Sequence, residues 1–185
     1  MELNKAIQTR HSVRKFSNKK PDWRDIIECI NAARFAPMAG GNFTVKFIVV
    51  GNKEKIQKIA DAAQQNFIAE ANFVVVVCSD PLRPLNAYGK QGEVYSRQQA
   101  GAAIENFLLK IQERKLATTW VGYFVESIIK ETLKIPDHVN VEAIFPIGYE
   151  FKKTASKIKI DLDSILYFEE YRNKRMRKPQ IIGKR

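Results

Sequence analysis

Residues 73–78 (FVVVVC) form an unbroken apolar run whose first five members are strand formers. A strand without polar alternation has no side to turn to water, so it needs cover on both faces. Such a strand belongs in the middle of a sheet that carries helices above and below. The run is the longest apolar stretch in the chain, and six residues fall far short of the ~20 that a membrane-spanning helix requires. With 185 residues, 45% hydrophobic and 28% charged, the chain can supply that cover from one domain, or from two very small ones. The same balance argues against a disordered or fibrous chain.

The remaining sequence offers the covering helices and the partner strands. Residues 2–10 suit a short helix with Leu3, Ala6 and Ile7 on one side. A stronger helix is expected over 21–36: Asp22 can cap it, Asp25 suits its positive first turn, and Trp23, Ile26, Ile27 and Ile30 recur at helical spacing. Pro37 ends it, and Gly40 with Gly41 makes a flexible loop. Residues 45–50 read as a buried strand, 53–66 as a helix with Ile56, Ile59 and Ala63 inward, and 80–95 as a long loop with two prolines and two glycines. The longest helix is expected over 97–115, with Ile104, Phe107, Leu108 and Ile111 as its apolar stripe and Ala100, Gly101, Ala102 and Ala103 permitting close packing. Residues 117–123 read as a strand, 127–133 as a helix with Pro136 soon after it, and 141–147 as a strand. About four strands and five helices make an α+β or α/β sandwich of helices around one sheet. No repeat or flexible linker divides it, so one domain with a C-terminal extension is expected.

The formal charge of +11 is unevenly spread. Residues 172–185 hold seven Lys or Arg and no acid, leaving about +4 for the rest of the chain. The surplus is a tail without interleaved aromatics, which argues against nucleic acid as a partner. Cys29 and Cys78 match no ligand spacing and His11 and His138 are the only histidines, so no metal site is expected. The first fifteen residues lack the apolar core of a secretory signal; a reduced, cytoplasmic compartment and no membrane partner are the expectation.

Several chemistries lack their motifs. There is no G-x-G-x-x-G after a strand, no G-x-x-x-x-G-K, no G-x-S-x-G and no Cys-His arrangement. Asp161 and Asp163 stand on an alternating, strand-like segment and read as a solvated face. The informative stretch is 10–16 (RHSVRKF), where Arg10, Ser12 and Arg14 offer guanidinium forks and a hydroxyl suited to a phosphate monoester. Alone, the run serves equally well as a surface loop of a basic protein.

It is not alone. R-[RH]-S-x-R-x-F near the N-terminus resembles the signature of the FMN-dependent nitroreductase family. Residues 36–42 (APMAGGN) are similar to the family's A-P-S-x-x-N loop with the Asn one place late, and 46–50 (KFIVV) to the strand after it. Residues 88–92 (YGKQG) and 98–106 (QQAGAAIEN) resemble its Y-G-x-x-G and Q-D-x-x-x-A-x-x-N segments. Residues 120–124 (WVGYF) resemble its W-V-G-A-F turn, and Ile135-Pro136 with 147–149 (IGY) its I-P and I-G-Y. The resemblance spans roughly residues 3–167. Three departures stand out: Met38 replaces a small hydroxyl residue, Phe43-Thr44-Val45 stands in place of Q-P-W, and Gln99 stands where the family usually has Asp.

The resemblance implies an α+β fold, a mixed β-sheet flanked by helices, dimeric, with a C-terminal extension wrapping the partner. Residues 1–171 would be the FMN-binding domain and 172–185 a basic tail. It implies an oxidoreductase that takes a hydride from NADH or NADPH at flavin N5 and passes two electrons to a small acceptor, nitroaromatic or quinone, with no catalytic side chain. Arg10, His11 and Ser12 would meet the phosphate, joined by Lys157 and Lys159; Arg14 would reach the pyrimidine edge. Gly122 and Tyr123 would face N5, Gln65 the ring edge, and Pro37, Met38, Ala39 and Asn42 would come from the partner of a homodimer with FMN at the interface. Phe43, Tyr88 and Tyr123 are candidates to line the substrate side. Two other readings compete: a flavin-binding carrier or sensor without efficient turnover, and a nucleic-acid binder that uses the basic tail.

Overall fold

The computed structural model describes residues 1–152 and 160–176, in two compact units, Met1–Thr154 and Ala155–Arg185. At the centre of the first unit lies β2 (Phe73–Ser79), with β1 (Val45–Val50) on one side and β3 (Asn140–Ile147) on the other. Both pairings are antiparallel, with Val50 opposite Val74 and Phe73 opposite Ile147. Side chains along β2 alternate between two cores. Val75 and Val77 join Val45, Ala143, Phe145 and Ile147 on one face; Val74, Val76 and Cys78 join Val50, Val141 and Ile144 on the other. None of Val74, Val75, Val76, Val77 and Cys78 is more than 1% exposed, as the apolar run requires.

Helices close both faces. The first core is covered by α2 (Trp23–Ala33) and α5 (Lys90–Glu113), through Ile26, Cys29 and Ala33 and through Ile104, Phe107, Leu108 and Ile111. The second is covered by α3 (Lys53–Ala63) and α6 (Glu126–Leu133), through Ile56, Ile59 and Ile129. Each such fully buried aliphatic or aromatic side chain stabilises by roughly 1.5–3 kcal/mol. The cap expected of α2 is present, Asp22 accepting from the Arg24 N–H at 2.9 Å, and α3 is capped likewise by Asn52, which accepts from the Lys55 N–H at 3.0 Å. Gln64, left-handed at φ 54°, ends α3 three residues before the expected 66 and turns the chain back, so β2 starts opposite the end of β1. The fold is α+β, and among the described residues its sheet is antiparallel throughout rather than mixed.

Other expectations need correction. The loop expected over 80–95 is a helix, α4 (Leu82–Tyr88), followed by the first turn of α5. Pro84 occupies the first turn of α4, where an amide has no helical partner, and Gly89 closes that helix at positive φ. Gly92 is buried under α4, where any side chain would collide with the Pro84 carbonyl. Residues 117–123 form no continuous strand: only Ala117 and Val121 bridge to Gly148 and Ile144, because the Thr118 carbonyl accepts from the Val13 N–H instead. In α1 (Leu3–Thr9) only Ala6 is buried, while Leu3 and Ile7 are exposed, as are Trp23 and Ile27 on α2. Among the described residues no helix is long and apolar enough to cross a membrane.

The second unit contains α7 (Leu162–Ile165), in place of the expected strand-like segment. Asp161 caps it, accepting from the Asp163 N–H at 3.3 Å. Lys174 donates to the carbonyls of Asp163 and Leu166 and lies 4.2 Å from the centre of the Tyr167 ring. Ile160, Leu162, Ile165 and Tyr171 remain more than 60% exposed. Lys157, Lys159 and the tail beyond 176 lie outside the described residues.

Candidate functional site

The segment 10–16 leaves α1 in extended form and is stitched to two others. Val13 donates to the Thr118 carbonyl at 2.9 Å, Ser17 to the Tyr149 carbonyl at 2.8 Å, and Phe151 to the Lys15 carbonyl at 3.1 Å. Val13 and Phe16 are buried with Ala71 and Ala117, and Phe67 packs against them. Gly148 leaves room for the Phe16 ring, which any side chain there would strike. Because Val13 and Phe16 point inward, Arg10, Ser12 and Arg14 stay accessible. Arg10 has one ion pair, 3.6 Å to the half-exposed Glu105, a geometry worth little in water. Ser12 and Arg14 have no side-chain partner among the described residues.

His11 is held differently. Nδ1 lies 2.9 Å from the Thr9 carbonyl and Nε2 3.1 Å from Glu150 Oε1. The hydrogen bond to Thr9 raises its pKa most, partial burial opposes this, and Glu150 adds to the rise. The imidazole therefore anchors the segment to the end of the β3 strand path, and its ring does not face outward with Arg10 and Ser12.

The Thr118 junction carries the chain into the turn at 120–123. Trp120 lies edge-on to Phe145 with centroids 5.5 Å apart, and Tyr123 is 73% exposed. The backbone N–H groups of Gly122 and Tyr123 make no hydrogen bond among the described residues. A Cβ built on Gly122 would meet nothing nearer than Trp120 Nε1 at 3.6 Å. The hydroxyls of Thr118 and Thr119, both buried, also lack a partner there. Val125 donates to the Ala62 carbonyl at 2.9 Å, which ties this turn to the end of α3. Half-buried Gln65 follows immediately in the chain. Backbone hydrogen bonds thus link the 10–16 segment, through Val13 and Thr118, to the turn at 120–123, and that turn, through Val125 and Ala62, to the end of α3 just before Gln65.

Pro37, Met38, Ala39 and Asn42 form a second group. They lie in or beside a short 3₁₀ turn, Ala39–Gly41, in which Gly40 and Gly41 both take positive φ. Pro37, Met38 and Ala39 border a cleft of about 290 Å³ against Tyr95, Gln98, Gln99 and Ala102 of α5. Gln98, Ala102 and Glu105 follow at helical spacing along one side of α5, so both groups flank one strip of that helix. Gln98 lies seven residues, about 10 Å, before the partner of Arg10. Of the aromatic candidates, Phe43 is partly buried against the first core, and Tyr88, 43% exposed, lies edge-on to Tyr95 beside Gly40. Burial pushes the Cys29 and Cys78 thiols up to about 12, so neither serves as a thiolate.

One residue noted in the sequence only as a departure carries much of the second group. Gln99, buried on α5, bonds to both Thr44 and Asn42. A polar side chain on the inward stripe, four residues before Ala103 and eight before Phe107, was the available signal.

The sequence matches the Nitroreductase family over residues 7–71 and 61–149. A protein of Archaeoglobus fulgidus named as an NADH dehydrogenase/NAD(P)H nitroreductase is 31% identical over 153 residues, covering 80% of this chain and 85% of its own. A nitroreductase family protein from Clostridium novyi NT, solved by crystallography, is 28% identical with a TM-score of 0.75, over 94% of this chain and 96% of that one. The structure of an FMN-dependent nitroreductase from Clostridium difficile R20291 gives a TM-score of 0.77 at 24% identity, over 90% and 98% of the two chains; that likeness is one of fold.

Proposed function

The chain belongs to the nitroreductase family and is an oxidoreductase of that kind; from that premise we propose that it holds one FMN per chain and uses NADH or NADPH to reduce a small acceptor of the nitroaromatic or quinone type. The observation that carries this reading is the junction of the 10–16 segment with the Gly122 turn through Val13 and Thr118. It ties the segment that carries Arg10, Ser12 and Arg14 to a turn whose Gly122 and Tyr123 N–H groups make no hydrogen bond among the described residues.

The residues present fit that cofactor. Among the described residues Ser12 and Arg14 have no side-chain partner, and Arg10 has only a long pair to give up. A phosphate monoester close to a dianion takes several such donors. Nothing inside the chain demands glycine at 122, where a Cβ would be accommodated. A flat ring system lying against the backbone would demand it. When bound, FMN supplies the two-electron transfer between nicotinamide and acceptor, and the protein supplies binding, orientation and electrostatics.

Each residue then has a task. Arg10 and Ser12 hold the phosphate, and His11 fixes the segment that presents them. Arg14 lies toward the pyrimidine edge, where a cation makes the flavin easier to reduce. The N–H groups of Gly122 and Tyr123 serve the N5 side, and Gln65 the ring edge. Pro37, Met38, Ala39 and Asn42 serve the FMN of the partner chain, which makes the working unit a homodimer with its cofactor at the interface. No side chain acts as nucleophile.

The test separates the two arginines. Arg10→Ala should weaken FMN binding by roughly 1.5–3 kcal/mol, the worth of hydrogen bonds to a charged group. Arg14→Ala should lose less affinity and lower the FMN midpoint by several tens of millivolts, about 30 mV for each 1.4 kcal/mol. Equal loss of affinity with an unchanged midpoint would refute the role given to Arg14. A wild type that binds no FMN would refute the whole reading.

A further inference from the structure

Gln99 is 4% exposed and lies on the α5 face that sends Ala103 and Phe107 into the core. A buried amide needs a partner for its oxygen and its nitrogen alike. Oε1 accepts twice from Thr44, from the backbone N–H and from the hydroxyl, each at 2.7 Å. Nε2 donates to the Asn42 carbonyl at 3.1 Å. Ser96, one turn earlier and 1% exposed, completes the set with its hydroxyl 3.1 Å from that of Thr44. The bonds admit one orientation only. A flipped amide would set its NH₂ against the Thr44 N–H and its oxygen against the Asn42 carbonyl. One side chain on a 24-residue helix thus grips both ends of the stretch 42–44. Asn42 in turn closes the small turn before it, donating from its N–H to Ala39 O at 3.0 Å and from Nδ2 to Gly40 O at 3.1 Å.

Two departures from the family pattern meet at this point. Where this chain has Phe43-Thr44-Val45 the pattern has Q-P-W, and where it has Gln99 the pattern has Asp. A proline at 44 would have neither the N–H nor the hydroxyl that Oε1 accepts. An ionised Asp at 99 is one methylene shorter and donates nothing, so it could not hold the Asn42 carbonyl. Thr44 and Gln99 thus each supply the hydrogen-bonding group that the other uses.

We propose that Gln99 is a positioning residue, coupled to Thr44, that sets where Asn42 stands and through it how firmly the flavin is held. The inference rests on the proposed function, in which Asn42 faces the flavin of the partner chain. The partners of Gln99 are uncharged. Titratable groups near it on the packed elements include Glu93, Tyr95 and Arg97 on α5, of which Arg97 pairs with Glu93 at 2.8 Å, Arg83 and Tyr88 on α4, Lys46 on β1, and Asp80, whose N–H donates to the Thr44 carbonyl at 3.0 Å.

The experiment has an arm without flavin and an arm with it. In flavin-free protein, amide hydrogen exchange should show the Thr44 N–H protected in the wild type. In Gln99→Met, which keeps the length and removes the amide, that protection should be lost while α2 and β2 amides stay slow. FMN titration should then give affinities about tenfold weaker for Gln99→Met and for Asn42→Ala, the scale of one hydrogen bond to the flavin lost in each. Gln99→Glu supplies the rescue. Protonated, it can accept from Thr44 and donate to Asn42; ionised, it cannot donate, and burial keeps it protonated above the usual carboxylate range. Its FMN affinity should match the wild type at acid pH and fall about tenfold toward alkaline pH, relative to the wild-type profile. If Gln99→Met binds FMN as tightly as the wild type, or Gln99→Glu shows no pH step of its own, the positioning role is overturned while the FMN reading stands. If Thr44→Val weakens binding equally in the wild type and in Gln99→Met, the coupling is overturned. A wild type that takes up no FMN overturns the proposed function instead, and this inference with it.

Discussion

His11 sits between two acceptors, and a neutral imidazole has only one N–H to share between the Thr9 carbonyl and Glu150. The charged ring satisfies both, so the fold favours it: the Thr9 bond raises the pKa first, partial burial works against the rise, and Glu150 adds to it. A pKa raised in the folded state gives stability that is fully present below the unfolded value of about 6.5 and is lost as pH rises through the folded value. The melting temperature of the wild type should therefore exceed that of His11→Gln most at the acid end of a pH 5.5–8.5 series, with the gap closing toward the alkaline end. A gap that stays constant, or widens with pH, would contradict this. Gly122 gives a second test at the same scale. Gly122→Ala has room inside the chain, so its unfolding free energy should move by no more than about 0.5 kcal/mol, as for most surface changes. Its FMN affinity should nevertheless fall. A stable variant with unchanged FMN binding would remove the flavin from this turn.

Among the elements, the α4–α5 pair has no slack where Gly92 passes under the Pro84 carbonyl, with no room for a methyl group. Gly92→Ala must push the helices apart and should cost about 1–3 kcal/mol, read as a lower urea midpoint. A midpoint at or above that of the wild type would mean that the pair slides freely. This pair also shows why part of the fold escaped the sequence. Proline and glycine break a helix in its middle but serve at its ends, and both uses look alike in 80–95. The 73–78 run and the stripe of Ile104, Phe107, Leu108 and Ile111 were legible because burial is written into their side chains. The strand expected over 117–123 failed because the Thr118 carbonyl is taken by Val13, more than a hundred residues away. The candidate site divides in the same way. Its 10–16 motif could be read directly, whereas its junction with Gly122 and the Gln99–Thr44 pairing depend on contacts distant in sequence.

At the level of the whole molecule, the first unit exposes Leu3, Ile7, Trp23, Ile27 and Phe35, and the second exposes Ile160, Leu162, Ile165 and Tyr171. Apolar surface of this kind is where the proposed homodimer would close. A homodimer at micromolar concentration is expected by light scattering, and a stable monomer with FMN bound would contradict it. Anaerobic titration of the FMN-loaded protein with NADH and with NADPH, followed by its absorption spectrum, shows whether the chain binds FMN and turns it over with a nicotinamide. About one FMN per chain should be present, its visible absorption should bleach with about one equivalent of at least one nicotinamide, and an added quinone or nitroaromatic should restore it. Bound FMN that neither nicotinamide bleaches, or no bound FMN at all, would contradict the account.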